Sequence, residues 1–276
     1  MDLGLRDVHV LVTGASGGIG LETARTFLDQ GARVTAHFNS NDSTLASLSQ
    51  KYGHGRIRIA QANLSDETNV LRMFDDLSRA DGFGHVQVLV VNHGIWPSTD
   101  VPLAHMTLDQ WNSTLSANLT SSFLVTREFL RRLEAPDMTE AQKDKVAIVL
   151  VGSTAGRYGE AGHADYAVSK SAMMYGLLLS LKNEIVKIAS RGRVNCVAPG
   201  WVRTPMAESA LKNPDVVYQA LATTPLKKVA IPSDVASQIV LLASPLVSGH
   251  VTGQVVMVEG GMEGRLLNFR NEISDA

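Results

Sequence analysis

Seven short runs of β-forming residues recur along the chain, most of them followed by helical patterning. They are VHVLVTG from Val8, ARVTAHF from Ala32, RIRIAQANL from Arg56, VQVLVVNHG from Val86, KVAIVLVGS from Lys145, GRVNCVAPG from Gly192 and QVVMVEGG from Gln254. Most are rich in Val and Ile and apolar on both faces. That pattern belongs to strands covered on both sides, as in a parallel sheet. Helical patterns fill the gaps at 19–30, 67–79, 108–133, 164–189 and 233–243, the last opened by Pro232 and Ser233, a plausible N-cap. Alternation of this kind predicts a doubly wound α/β fold with about seven parallel strands and helices on both faces.

Bulk properties narrow the function classes. Of 276 residues, 45% are hydrophobic and 19% charged, enough for a sizeable core. The net charge of -2 offers no bulk attraction to nucleic acid or to an anionic membrane. Cys196 is the only cysteine, so no internal disulfide forms, and it reads as a small buried hydrophobe. No apolar run reaches 18 residues, and the start MDLGLRDVHV carries early acids without a long apolar segment. The expectation is a cytoplasmic protein of one domain, 1–276. The polar stretch 134–145 reads as a helix end and surface loop, and 262–276 as an unassigned C-terminal extension.

Tyr166 and Lys170 stand one helical turn apart in DYAVSK. An ammonium beside a phenol favours the phenolate, so the expected tyrosine pKa lies below the free value of about 10. Gly14, Gly18 and Gly20 in VHVLVTGASGGIG follow a strand and open a helix. Glycines there let the backbone approach a pyrophosphate at a helix N-terminus. Ser153 ends the fifth strand in VLVGSTAG, and Asn118 sits in SANLT, inside an apolar helix where asparagine is intrinsically unfavourable. The serine lacks the GxSxG elbow of a hydrolase, and the eight histidines form no metal-binding motif.

Taken in order, TGASGGIG, Asn118, Ser153 and Tyr166-x-x-x-Lys170 resemble the short-chain dehydrogenase/reductase family, over about Val8 to Gly261. The resemblance implies a Rossmann-like fold and an NAD(P)-dependent alcohol dehydrogenase or ketoreductase. In it Tyr166 exchanges a proton with the substrate oxygen, Ser153 donates a hydrogen bond to that oxygen, Lys170 lowers the tyrosine pKa and holds the nicotinamide ribose, and Asn118 holds a water near Lys170. It implies cofactor contacts at Gly14, Ser16, Gly18, Ile19, Gly20, Asn39, Ser40, Asn63, Leu64, Asn92, Gly94, Tyr166, Lys170, Pro199, Gly200, Val202 and Thr204. The chain departs from the family pattern at Val91 and His93, where NNAG is usual, at Asn63-Leu64, where an aspartate is usual, and at Glu259. His93 reads either as packing near the ribose or as a substrate contact.

Trp96, Tyr158, His163, Trp201 and Met206 flank the motifs, which suggests a rather apolar ketone or secondary alcohol, cyclic or aromatic. Arg157 and Arg203 keep a carboxylate or coenzyme A site open. After the second strand no acid appears until Asp42, which favours NADP(H) over NAD(H). The usual bases are missing at Gly17 and Asn39, leaving neutral donors and Arg56, so the preference is modest. Resemblance and the apolar run MMYGLLLSL imply a homotetramer, with a homodimer as alternative. Competing readings are a related hydride-transfer outcome, such as enone or imine reduction or epimerisation, and a non-catalytic cofactor sensor.

Overall fold

The computed structural model describes residues 1–79 and 82–268. Seven parallel strands form one sheet in the order β3-β2-β1-β4-β5-β6-β7. They are β1 (His9–Val12), β2 (Arg33–Phe38), β3 (Ile57–Gln61), β4 (Val88–Val91), β5 (Ala147–Val151), β6 (Arg193–Pro199) and β7 (Val255–Val258). Each of the seven apolar runs holds one of them. In register, Val10 lies between Val34 and Val88. The chain steps from β1 outward to β3, then returns to β4 on the other side of β1. A crevice opens at that reversal, beyond the carboxyl ends of the strands.

The helices are α1 (Gly18–Asp29), α2 (Ala46–Tyr52), α3 (Glu67–Arg79), α4 (Leu108–Leu115), α5 (Ser121–Leu133), α6 (Glu140–Lys143), α7 (Thr154–Tyr158), α8 (Ala164–Ser171), α9 (Leu178–Ile188), α10 (Pro214–Ala222) and α11 (Pro232–Ala243). Alternate strand residues separate the core into two layers, as the two-residue period of a strand requires. Val10, Val12, Val88 and Val90 face Phe27 of α1 and Ile239 of α11. Leu11, Leu89, Ile148 and Leu150 face Phe74 of α3, Phe129 of α5 and Ile185 of α9. Cys196 is buried in this second layer.

Four local readings need correction. The 108–133 and 164–189 helices are each interrupted by π-helical turns, Ser116–Thr120 and Ala172–Leu177. At the first, Ser121 and Ser122 donate back to the carbonyls of Ala117 and Asn118, both at 2.6 Å, competing with the helical ladder. Ser233 is not a cap: α11 begins at Pro232, and Asp234 accepts the Ile231 N–H at 2.9 Å. Ser153 leads into the short helix α7, ended by Gly159 at φ 75°. The polar stretch before β5 contains α6, held by a capping box between Thr139 and Gln142. Among the described residues no helix is long and apolar enough to cross a membrane.

Candidate active site

A cavity of about 640 Å³ fills the crevice. Its floor is the turn between β1 and α1, where Gly14, Ser16, Gly18, Ile19 and Gly20 all line it. Gly14 has φ +63°, and a Cβ there would lie 2.9 Å from the His93 Cα. A Cβ on Gly20 would lie 2.2 Å from the Gly14 carbonyl, and one on Gly18 2.7 Å from Thr204. No side chain caps α1, whose N-cap is Gly17. The bare backbone amides and the helix dipole therefore face the cavity, an arrangement that suits a pyrophosphate.

A histidine unread in the sequence braces this turn. His37, on β2, accepts the Gly14 N–H at Nδ1, 3.1 Å away. Its Nε2 therefore carries the proton and donates to the Ala62 carbonyl at 3.0 Å. Burial holds its pKa down at about 4, so the ring is neutral. Asn92 completes the floor, donating to the carbonyls of Thr13 and Gly14. His93 spends both ring nitrogens internally, on Thr13 and Ser121, each at 2.8 Å. Burial drives it to about 3, and neither nitrogen is left for a ligand.

Asn39, Ser40 and Asn41 line the end beyond β2, and Asn63 and Leu64 the end beyond β3. Among the described residues no carboxylate and no Lys or Arg lines the cavity there, and His37 is neutral. Arg56 is not a candidate for a phosphate: it binds Asp7 and the Gly31 carbonyl, both at 2.8 Å. Those groups lie at the amino ends of the strands, opposite the crevice. Gly94, Pro199, Gly200, Val202 and Thr204 line the rest of the cofactor side.

Ser153, Tyr166 and Lys170 converge on the same cavity. Ser153 lies two residues beyond β5 and caps α7, its Oγ accepting the Ala155 N–H at 3.1 Å. With that oxygen engaged, the hydroxyl proton is left to point outward. Lys170 donates to the Val151 carbonyl at 2.9 Å, and its Nζ is 5.7 Å from the Tyr166 ring centroid. Gly94 makes room for Asn118, since a Cβ there would be 3.1 Å from Asn118 Oδ1, while Lys170 Nζ would stand at an ordinary contact distance of 3.5 Å. Asn118 does not line the cavity. It accepts the Ile95 N–H at 2.7 Å and donates to the Ile95 carbonyl at 3.0 Å, tying the loop after β4 to the π-helical turn.

The expected low tyrosine pKa is corrected. Burial pushes Tyr166 up to about 12, partly offset by its hydrogen bond with Ser153. Glu160 raises it further and Arg265 lowers it. The residue keeps some exposed surface, yet its hydroxyl lies at depth, and the environment of the hydroxyl governs the shift. Lys170 is itself held down at about 8 by burial. Desolvation is the largest cause of both shifts.

Of the residues expected around substrate, Trp96, Trp201 and Met206 line the cavity, and Tyr158 and His163 do not. Trp96 meets the Tyr166 ring edge-on at 4.6 Å. His163 stacks behind Trp96 at 4.0 Å, with Nε2 on the Pro97 carbonyl at 2.9 Å. Tyr158 donates to the Met262 carbonyl at 2.8 Å. Neither Arg157 nor Arg203 lines the cavity, but Glu160 and Arg265 do. Sequence reasoning missed both. Arg265 lies in the unassigned extension, and no local pattern says where that segment goes. Among the described residues no group of three His, Cys, Asp or Glu is placed to hold a metal ion.

A family model described as enoyl-(acyl carrier protein) reductase matches residues 14–263. The chain is 33% identical to a 3-oxoacyl-[acyl-carrier-protein] reductase of Thermotoga maritima, over 91% of this chain and 96% of that protein. It is 34% identical to nodulation protein G of Rhizobium meliloti, over 91% and 95%. A short-chain dehydrogenase/reductase of Brucella melitensis has a similar structure, with a TM-score of 0.80 and 29% identity over 95% of this chain and 99% of that one.

Proposed function

Because the chain belongs to the short-chain dehydrogenase/reductase family, we propose that it is an NADP(H)-dependent ketoreductase acting on a rather apolar small ketone or the matching secondary alcohol. It is an NAD(P)-dependent oxidoreductase; the substrate and the choice of cofactor are the proposal. One observation carries it. Ser153, Tyr166 and Lys170 meet at one end of a cavity whose other end is the bare glycine turn. The cradle fits the group it would hold, since a Cβ at Gly14, Gly18 or Gly20 would strike its walls.

A nicotinamide cofactor, when bound, supplies or accepts the hydride. The chain's own residues manage the proton and the oxygen. Tyr166, protonated at neutral pH, gives its proton to the carbonyl oxygen. Ser153 donates a hydrogen bond to the same oxygen, stabilising the charge that develops on it. Lys170 sits against both Gly94 and Val151, placed for the nicotinamide ribose. Asn118 sets the loop carrying Gly94 through its paired bonds to Ile95. Trp96, Trp201 and Met206 favour an apolar, flat substrate and exclude water. His163 supports that wall by stacking on Trp96.

NADP(H) is preferred over NAD(H) because, among the described residues, no acid lines the cavity beyond β2. Ser16, Asn39, Ser40 and Asn41 offer neutral donors to a 2′-phosphate, so the preference is modest. The names of the acyl-carrier-protein reductases describe ketone reduction of the same kind. The description of the matching family favours enone reduction as a second reading. We read the whole chain as one cytoplasmic catalytic domain, assembled as a homotetramer.

The test is a panel of ketones and enones, following loss of reduced nicotinamide absorbance with NADPH and with NADH. Ketone turnover with a higher kcat/KM for NADPH is expected. Tyr166→Phe should lose about 10²–10⁴-fold in kcat while cofactor affinity stays within a few fold. A Tyr166→Phe rate close to the parent's overturns the mechanism, and a higher kcat/KM with NADH overturns the cofactor assignment.

A further inference from the structure

Residues 262–265 bring Arg265 to the cavity wall and are fastened on both sides. Tyr158 donates to the Met262 carbonyl at 2.8 Å. The Glu263 N–H donates to the Thr223 carbonyl at 3.1 Å, and Thr223 Oγ1 to the Gly264 carbonyl at 2.9 Å. The segment so braced delivers Arg265 to the cavity wall, with its side chain only 19% exposed. Among the described residues two cations line the cavity, Lys170 and Arg265. Lys170 lies on the cofactor side and is engaged with Val151. Arg265 stands on the substrate side, close enough for its charge to act on the Tyr166 hydroxyl.

The guanidinium is only partly used. Nε donates to the Gly159 carbonyl at 3.0 Å, and Nη2 meets Glu160 at 2.6 Å and Thr154 at 3.5 Å. Those bonds fasten the segment. Among the described residues Nη1 meets only the Met262 thioether, at 3.9 Å, a weak acceptor. A planar, rigid fork with one edge committed and the other facing a cavity is suited to take a carboxylate. Clasping the segment needs only the Nε and Nη2 edge, so it leaves Nη1 unexplained.

We propose that Arg265 anchors an anionic group, of the carboxylate class, on the substrate. The Trp96 and Trp201 rings hold the apolar body, Tyr166 and Ser153 take the carbonyl oxygen, and Nη1 of Arg265 takes the anion at the far end. This rests on the ketoreductase reading and adds a keto acid or hydroxy acid as the substrate class.

The test compares 3- and 4-acetylbenzoate with their methyl esters, as flat aryl ketones differing in charge and by one methyl group. Steady-state kinetics with NADPH and calorimetric binding to the cofactor-saturated chain are both read. The acid of at least one isomer should exceed its ester about tenfold or more in kcat/KM, chiefly through KM. Arg265→Met should bring that ratio to about one, and Arg265→Lys should keep part of it. Any general effect of the substitution on Tyr166 acts on acid and ester alike and cancels in the ratio. Equal or better use of the esters by the parent chain overturns the proposal, as does a ratio unchanged in Arg265→Met. Acids that bind through Arg265 while no ketone or enone is turned over would sink the reductase reading and leave the anchor standing.

Discussion

Lys170 shows how a single buried group links stability to function. Burial lowers its pKa from 10.5 to about 8, while the unfolded lysine keeps the higher value. Between those values the unfolded chain binds the extra proton, so stability should rise with pH. The cost of burying the ammonium is fully present below pH 8 and gone above 10.5. Tyr166 and Cys196 oppose this at higher pH, because burial raises both to about 12 and the unfolded chain loses those protons first. The comparison that isolates Lys170 is therefore parent against Lys170→Met, by urea denaturation without cofactor from neutral pH to about 10. The parent should gain on the variant by about 1–3 kcal/mol across that range, and a flat difference would show the lysine to be solvated. The identity of the pair was legible from its spacing. The direction of the tyrosine shift was not, because spacing reports the neighbouring charge and says nothing about depth.

The strands were legible because a parallel sheet covered on both faces leaves near-continuous Val and Ile runs, as in VHVLV and KVAIVLV. The π-helical turns at Ser116–Thr120 and Ala172–Leu177 were not, since one extra residue barely disturbs a helical period. Short helices such as α7 carry too few turns to show a period at all. The glycine cradle lies between these cases: its presence could be read, but the different purposes of its glycines could not. Gly20 is hemmed in by backbone, the Gly14 carbonyl and the Ala15 Cα, which cannot yield cheaply. Gly18 faces Thr204, whose Cγ2 at 2.7 Å can rotate away but whose Cβ at 2.9 Å moves only if the loop carrying it shifts. Gly20→Ala should therefore cost about 1–3 kcal/mol of stability and weaken cofactor binding tenfold or more. Gly18→Ala should cost less, about 1 kcal/mol, because the Thr204 loop can shift where the turn's own backbone cannot, and should act chiefly on cofactor affinity. Melting curves and calorimetric titration would separate them, and equal stability of the two variants would refute the distinction.

At the scale of the whole molecule, what the sequence withheld is long-range. Nothing near Arg265 in the chain says that it meets Glu160 and Gly159. The apolar run in the 164–189 helix, by contrast, signalled more apolar surface than one buried face needs, and the excess is visible. Tyr175, Leu179 and Val186 remain 44%, 41% and 43% exposed, a single stripe along α9 and the turn before it. Phe123 of α5, at 45%, adds a neighbouring apolar side chain. The edge strand β7 is only half-buried along all four residues, with one side unpaired within the chain. A long apolar edge and an apolar helix stripe are both liabilities for a monomer. Two separate patches of this kind, each self-complementary across a twofold axis, build a tetramer, whereas either alone stops at a dimer. Light scattering should therefore give about four times 29.7 kDa. Tyr175→Glu combined with Leu179→Glu should place unpaired charges in the helix interface alone and give a folded dimer. A parent mass near 29.7 kDa would exclude the assembly, and a charged variant that stayed tetrameric would show that the helix stripe is not one of its interfaces.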